Sequence, residues 1–196
     1  MPKIFSEEER LQVRIGMFES GFGLLKKEGM IHMSVEKITS AAGIGKSTFY
    51  NFFRSKEDFV LQMIEYKRQN ALKEIQNRLN GREKMTVEEG KDIFRSILFS
   101  SNSIYQYLKL EDLAHLQKEP SYLNHPDMEE EKDLLCSLLR YIQGVKKNPD
   151  YLLIANLIKI MTLAVEDRSL LHEGAYAKTM DMLLETLYAC IFDEEE

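Results

Sequence analysis

Residues Ser34–Phe59, SVEKITSAAGIGKSTFYNFFRSKEDF, read as two short helices joined by a tight turn and followed at once by a third. Ser34 suits an N-cap, where a hydroxyl accepts a bond from a free backbone N–H, and Glu36 suits the positive helix end that follows. The predicted helix runs from Val35 to Ala42. Val35, Ile38, Ala41 and Ala42 share one side, which leaves Glu36, Lys37, Thr39 and Ser40 for water. Gly43 is expected to end it, since glycine tolerates the left-handed backbone that closes many helices. Gly45 is expected to let the chain re-enter a helix with no Cβ in the way.

The next helix is predicted from Lys46 to Phe53. Advancing roughly 100° per residue gathers Phe49, Phe52 and Phe53 on one arc and leaves Lys46, Ser47, Thr48, Tyr50 and Asn51 on the other. An ammonium, two hydroxyls, a phenol and an amide are groups that reach phosphate oxygens and base edges in a major groove. Ser55 and Asp58 stand at capping-box spacing, with Asp in place of the usual Glu. Lys56 falls in the following helix's first turn, where free N–H groups and a cation together suit a phosphate. The outline is that of a helix-turn-helix.

Residues of roughly 10 to 64 resemble the DNA-binding domain of the TetR family of transcriptional regulators. The resemblance is carried by an ordered pattern: Leu25-Lys26-Lys27-Glu28-Gly29, Ser34-Val35, Ile38 with Ala41-Ala42-Gly43-Ile44, Lys46-Ser47-Thr48-Phe49-Tyr50, Phe53, and Ser55-Lys56-Glu57-Asp58. Two positions depart from the commonest pattern. Leu25 stands where phenylalanine is frequent, and Phe52 stands where a histidine or tyrosine often touches phosphate. The DNA-binding set expected from arc and resemblance together is Ser34, Gly45, Lys46, Ser47, Thr48, Tyr50, Asn51 and Lys56. Within it Lys46, Tyr50 and Lys56 grip phosphate, while Ser47, Thr48 and Asn51 face the groove.

Gly45-Lys46-Ser47-Thr48 also matches the tail of a phosphate-binding P-loop. That motif needs a further glycine five residues before the Gly-Lys pair, where this chain has Ser40, and no strand-like run precedes it. No nucleotide or other cofactor is therefore expected.

The global properties narrow the class. The chain has 196 residues, 44% of them hydrophobic, which suits one or two domains with ample core. Two cysteines, Cys136 and Cys190, lack metal-binding spacing and read as small core residues of a protein in a reducing cytosol. MPKIFSEEER has no apolar signal region and no window approaches a membrane span, so a cytoplasmic protein without membrane contact is expected. The formal charge of −6 argues against a DNA partner only until it is divided. Residues 1–70 carry 11 basic and 9 acidic side chains, and residues 71–196 carry 15 and 23. The basic surplus lies with the reader.

Around the motif everything reads helical, so the predicted fold is all-α: an N-terminal three-helix helix-turn-helix domain (1–55) and a C-terminal helical ligand-binding and dimerisation domain (56–196). A first helix, Glu7 to Lys27, opens on a Ser6/Glu9 capping box and lines up Leu11, Ile15, Phe18, Phe22 and Leu25. Its Gly16, Gly21 and Gly23 imply close helix packing. Further helices are predicted over Lys56–Leu79, Thr86–Ser100, Ser103–Lys118, Asp127–Lys147, Asp150–Leu170 and Glu173–Phe192.

The last two helices suit pairing with a second copy as a four-helix bundle, as TetR-like proteins pair, and a dimer presents two readers to a palindromic site. Leu153, Leu157, Met161, Met180, Leu184 and Leu187 are candidates for that contact or for the adjoining core. The resemblance places an effector in the body between, where Phe94, Phe99, Tyr105, Tyr107, His115, Tyr122 and Asn156 are candidates to line a site for a small hydrophobic molecule. No set of His, Asp and Glu has metal spacing. Repression relieved by the effector is the leading expectation. The alternatives are a regulator gated by a partner protein and an all-α enzyme using Glu166, Asp167 and His172, for which no nucleophile or oxyanion loop is found.

Overall fold

The computed structural model describes residues 6–100, 107–116, 118 and 135–193. Its helices are α1 (Glu7–His32), α2 (Val35–Ala41), α3 (Lys46–Tyr50), α4 (Lys56–Leu79), α5 (Val87–Phe99), α6 (Leu110–Leu116), α7 (described helical residues 135–139), α8 (Tyr151–Glu166) and α9 (Glu173–Ile191), with a 3-10 turn at Arg168–Leu170. The fold is all-α. The chain divides into two compact units within α4, one holding α1–α3 and α4 to Arg68 together with residues from Glu111 in α6, the other holding α4 from Gln69, α5, α7, α8 and α9.

In the first unit α1 is longer than predicted because one further turn follows Gly29, whose φ of 74° breaks the helix between Glu28 and Met30. Ser6 accepts the Glu9 N–H at 3.1 Å and the Glu9 carboxylate accepts the Ser6 N–H at 2.9 Å, completing the predicted capping box. The expected apolar face is buried at Phe18, Phe22 and Leu25, half-buried at Ile15 and exposed at Leu11. Only Gly21 has the close-packing role assigned to three glycines. A Cβ there would stand 2.7 Å from Met63 Sδ and Phe59 Cζ, whereas Gly16 and Gly23 face open space. Gly21 lets α1 lie against α4, and alanine there would have to displace a phenyl ring.

The second unit has one continuous core. Ile75 and Leu79 of α4, Ile93, Phe94 and Leu98 of α5, and Ile154, Leu157 and Met161 of α8 meet Met180, Leu184, Leu187 and Ile191 of α9. Asp150 caps α8, accepting the Leu153 N–H at 3.0 Å, and Thr86 with Glu89 closes a full capping box on α5. Arg82 joins two helix ends: its guanidinium is bidentate to Glu89 at 2.7 and 3.0 Å and also donates to the Leu79 and Arg78 carbonyls at 3.2 and 3.1 Å. Both cysteines are half-buried and unbridged.

Besides α3, which ends at Tyr50 and not at the predicted Phe53, three predicted helices are shorter than expected. Residues 107–109 are not helical, so the span predicted from Ser103 to Lys118 contains α6 alone as described helix. The span predicted to Lys147 stops being helical after residue 139. Its continuation is a run of turns held by two isolated bridges: Ile142 bridges Met85 in parallel and Val145 bridges Phe192 antiparallel. Gly144, at a φ of 66°, makes the turn between the two bridges, a conformation periodicity does not reveal. The span predicted to Leu170 ends as α-helix at Glu166, before the 3-10 turn.

Candidate nucleic-acid interface

The helix-turn-helix forms from the elements its sequence prescribes. Ser34 caps α2 by accepting the Lys37 N–H at 3.3 Å. Gly43 takes a φ of 66°, and the Ile44 N–H donates to the Thr39 carbonyl at 2.9 Å to close the turn. Gly45 is the N-cap of α3 at a φ of −82°, and a Cβ there would meet only Ser47 Oγ at 3.8 Å. The turn therefore depends on Gly43, and the steric reason given for Gly45 does not hold. Thr39, expected in water, is buried and donates to the Glu36 carbonyl at 3.1 Å.

Behind α3 lies a cage of rings. Phe49 and Phe53 are wholly buried, with ring centroids 5.2 Å apart, and both pack on Phe59 of α4 at 5.5 and 4.8 Å. Phe18 of α1 reaches Phe53 at 5.7 Å and Phe59 at 5.8 Å. The tilted and edge-on angles favour the aromatic quadrupoles and fix the roll of α3. Phe52 departs from the predicted arc. The helix ends at Tyr50, so Phe52 sits half-buried at the rim with the Arg10 guanidinium 4.7 Å above its ring.

With the rings turned inward, the polar residues turn outward. Lys46, Ser47, Tyr50 and Asn51 are exposed and Thr48 is half-buried. Tyr50 is held edge-on against Phe49 at 5.4 Å. Of the expected phosphate contacts, Lys46 carries an ion pair to Glu36 of α2, and that bond holds the Glu36 carboxyl down at about 2. Lys56 is drawn toward the first unit's interior: its ammonium donates to the Met30 carbonyl at 3.4 Å and lies 3.5 Å from Glu57. Lys37 is tied to Glu28 at 2.5 Å and to the His32 carbonyl at 2.9 Å, and its bond lowers the Glu28 pKa. At the start of α4 the capping box is displaced. Ser55 Oγ accepts the Asp58 N–H at 3.1 Å, while the Asp58 carboxylate accepts the N–H of Arg54, one residue earlier than the usual partner.

The effector candidates are spread through the chain. Phe94 is fully buried in the core, Phe99 is at the surface end of α5, Tyr107 is half-buried, and His115 and Asn156 are exposed. Tyr105 and Tyr122 lie outside the described residues. Among the dimer candidates Leu157, Met161, Met180, Leu184 and Leu187 are core of the second unit, and Leu153 is exposed. Leu153 shares an uncovered stripe of α8 with Leu152, Ile160 and Leu163. On α9 the matching stripe is Ala175, Thr179, Met182, Thr186 and Ala189, spaced four, three, four and three residues apart and all exposed. Among the described residues no group of His, Cys, Asp and Glu is placed to hold a metal, and no helix is long and apolar enough to cross a membrane.

Residues 18–63 match the family described as bacterial regulatory proteins, tetR family. No curated protein sequence matches the chain. In shape it is similar to a TetR-family transcriptional regulator from Haemophilus influenzae, at 13% identity and a TM-score of 0.58, over 93% of this chain and 98% of that one. It is also similar to SmeT, the repressor of the Stenotrophomonas maltophilia multidrug efflux pump SmeDEF, at 13% identity and a TM-score of 0.57, covering 92% of this chain and 91% of SmeT. A third likeness is to the fatty acid degradation regulator FadR from Bacillus halodurans, at 16% identity and a TM-score of 0.53, covering 95% and 97%.

Proposed function

We propose that this chain, a member of the TetR family of bacterial regulatory proteins, is a cytoplasmic repressor that binds a palindromic operator as a homodimer and releases it when a small hydrophobic effector occupies its helical body. The observation that carries the reading is α3: a short helix whose Phe49 is wholly buried and whose Lys46, Ser47, Tyr50 and Asn51 are exposed together. Such a helix is a rigid carrier of polar groups on an aromatic base, which is what a groove reader requires.

Dimerisation is supported by the α8 and α9 stripes. Leu152, Leu153, Ile160, Leu163 and Met182 are each between 45% and 62% exposed in the single chain, and a second copy would cover them as a four-helix bundle. In this reading residues 1–55 read DNA and 56–196 sense and pair. Effector release is then a linkage: a ligand that prefers the mis-spaced arrangement of the two readers weakens DNA binding by the ratio of its affinities for the two states. An apolar effector is also in keeping with SmeT, which represses a multidrug efflux pump, and with the halodurans FadR, which regulates fatty acid degradation.

The test is a mobility shift of DNA from upstream of the protein's own gene, repeated over a range of salt. A regulator retards the fragment with steep salt dependence, and apolar compounds added in turn identify the one that releases it. A chain that retards neither that fragment nor any other duplex is not a DNA-binding regulator.

A further inference from the structure

The basic side chains around α3 differ in one respect. Lys37, Lys46 and Lys56 each have a carboxylate within ion-pairing distance, in Glu28, Glu36 and Glu57. Arg10 has none among the described residues. Its guanidinium sits over Phe52 with its central carbon 4.7 Å from the ring centre, and one nitrogen donates a long 3.5 Å bond to the Asn51 carbonyl. Arg14, one turn along α1, is fixed in the same way, 5.4 Å from the Phe18 ring and 2.7 Å from Gln62 Oε1. With Leu11 and Phe52 the two arginines line a shallow cleft of about 210 Å³.

We propose that Arg10, seated on Phe52 and backed by Arg14, is a contact to the phosphate backbone of duplex DNA supplied from outside the helix-turn-helix. The inference rests on the DNA-binding reading and extends its contact surface to α1. Phe52 has no donor of its own, but a ring is a good seat for a guanidinium, which is weakly hydrated and keeps its planar fork of donors when stacked. Arg10 is exposed, and its bond to Asn51 places it beside a residue of the groove-facing set. Because ring and carbonyl already hold the side chain, less rotamer freedom is lost on meeting a phosphate than for Arg54, whose exposed side chain has no such seat among the described residues. Three carboxylates precede Arg10. Glu9 is engaged at the Ser6 N–H, and neither Glu7 nor Glu8 pairs with Arg10.

The experiment measures affinity against salt concentration for the full chain, on the upstream fragment and on a mixed-sequence duplex. Arg10→Gln should weaken both complexes by the same factor and lower the slope of log K on log salt by about 1.8 for the dimer, about 0.9 for the phosphate contact of each copy. Arg10→Lys, which keeps the charge, should keep the slope. Phe52→Leu, which removes the seat and leaves the charge, should weaken binding with the slope retained. An Arg10→Gln protein with unchanged slope overturns the proposal, as does one that loses affinity for the upstream fragment alone, since that is base reading. If the unaltered chain binds neither duplex, the DNA-binding reading itself fails, and this contact with it.

Discussion

The two units are both helical and both well filled, yet they are specified in different ways. The reader is built on a few large side chains with one arrangement each: Phe49, Phe53, Phe59 and Phe18 interlock at centroid distances of 4.8 to 5.8 Å, and Gly21 is cut to fit against Phe59 and Met63. The body is built on many aliphatic side chains along amphipathic helices, where volume and pattern matter more than any one shape. A surface that must hold exposed polar groups in register needs the first kind of core, and the effector-accommodating body of the proposed reading would be served by the second.

The sharpest way to break this contrast is Phe49→Ala, expected to destabilise the reader by about 3–5 kcal/mol and to abolish DNA binding. Circular dichroism should then show the body's helices melting near their original temperature. A single transition carrying all helices down together would show that the two cores are one cooperative unit.

A second comparison lies within the body. Leu157→Ala removes a buried side chain and should cost about 2–5 kcal/mol in thermal or denaturant unfolding, with the dimer retained. Ile160→Glu with Leu163→Glu, on the uncovered stripe, should leave helix content intact and yield a monomer by sedimentation. Monomers from the first variant and dimers from the second would reverse the assignment of the α8 faces.

On the reader's outer face, changing Ser47 or Asn51 should alter sequence preference by about 1–3 kcal/mol for each base that is no longer read. Tyr50→Phe and Lys46→Ala should weaken all sequences alike, with Lys46→Ala reducing the salt slope by about 1 for each copy in the dimer. Protein altered at Lys46, Tyr50 and Lys56 together and still binding as before would remove the interface from this face.

The smallest expected effect comes from the carboxylates. Glu36 and Glu89 are held at about 2 by Lys46 and Arg82, below the 4.5 they have when free. A depressed carboxyl contributes its stability above the free value and loses it as pH falls toward the folded one. Thermal stability should therefore decline between about pH 4.5 and 2, and Glu36→Gln or Glu89→Gln should flatten its own share of that decline. Glu36 is exposed and Glu89 only half-buried at the surface, so the share is small. At neutral pH Glu36→Gln frees Lys46 and should tighten DNA binding modestly.

The reader was readable in the sequence because its instructions are local. A cap at Ser34, a left-handed turn at Gly43 and phenylalanines at helical spacing act over a few residues, and the structure follows them. What sequence missed there depends on neighbours distant in the chain. Thr39 is buried against expectation, Lys46 is claimed by Glu36 across the turn, and Phe52 leaves its arc because α3 stops at Tyr50 and Arg10 arrives from α1. In the body, periodicity found the helices but not their ends. The bridges at Ile142 and Val145 are pairings with Met85 and Phe192, which no local pattern announces. Nor does periodicity separate Leu157 from Leu153: both are leucines on an apolar helix, and only the packing of α8 on α9 and α5 decides which is covered.

Arg82 makes one machine part of two helix ends. By gripping the last carbonyls of α4 and the capping carboxylate of α5 with a single planar group, it leaves the Asn80-Gly81 corner no slack to absorb a push. A shift of α5 along its axis therefore arrives at the final turn of α4 as displacement rather than as bending of the loop between them. Arg82→Ala would turn that rigid coupling into a joint with play.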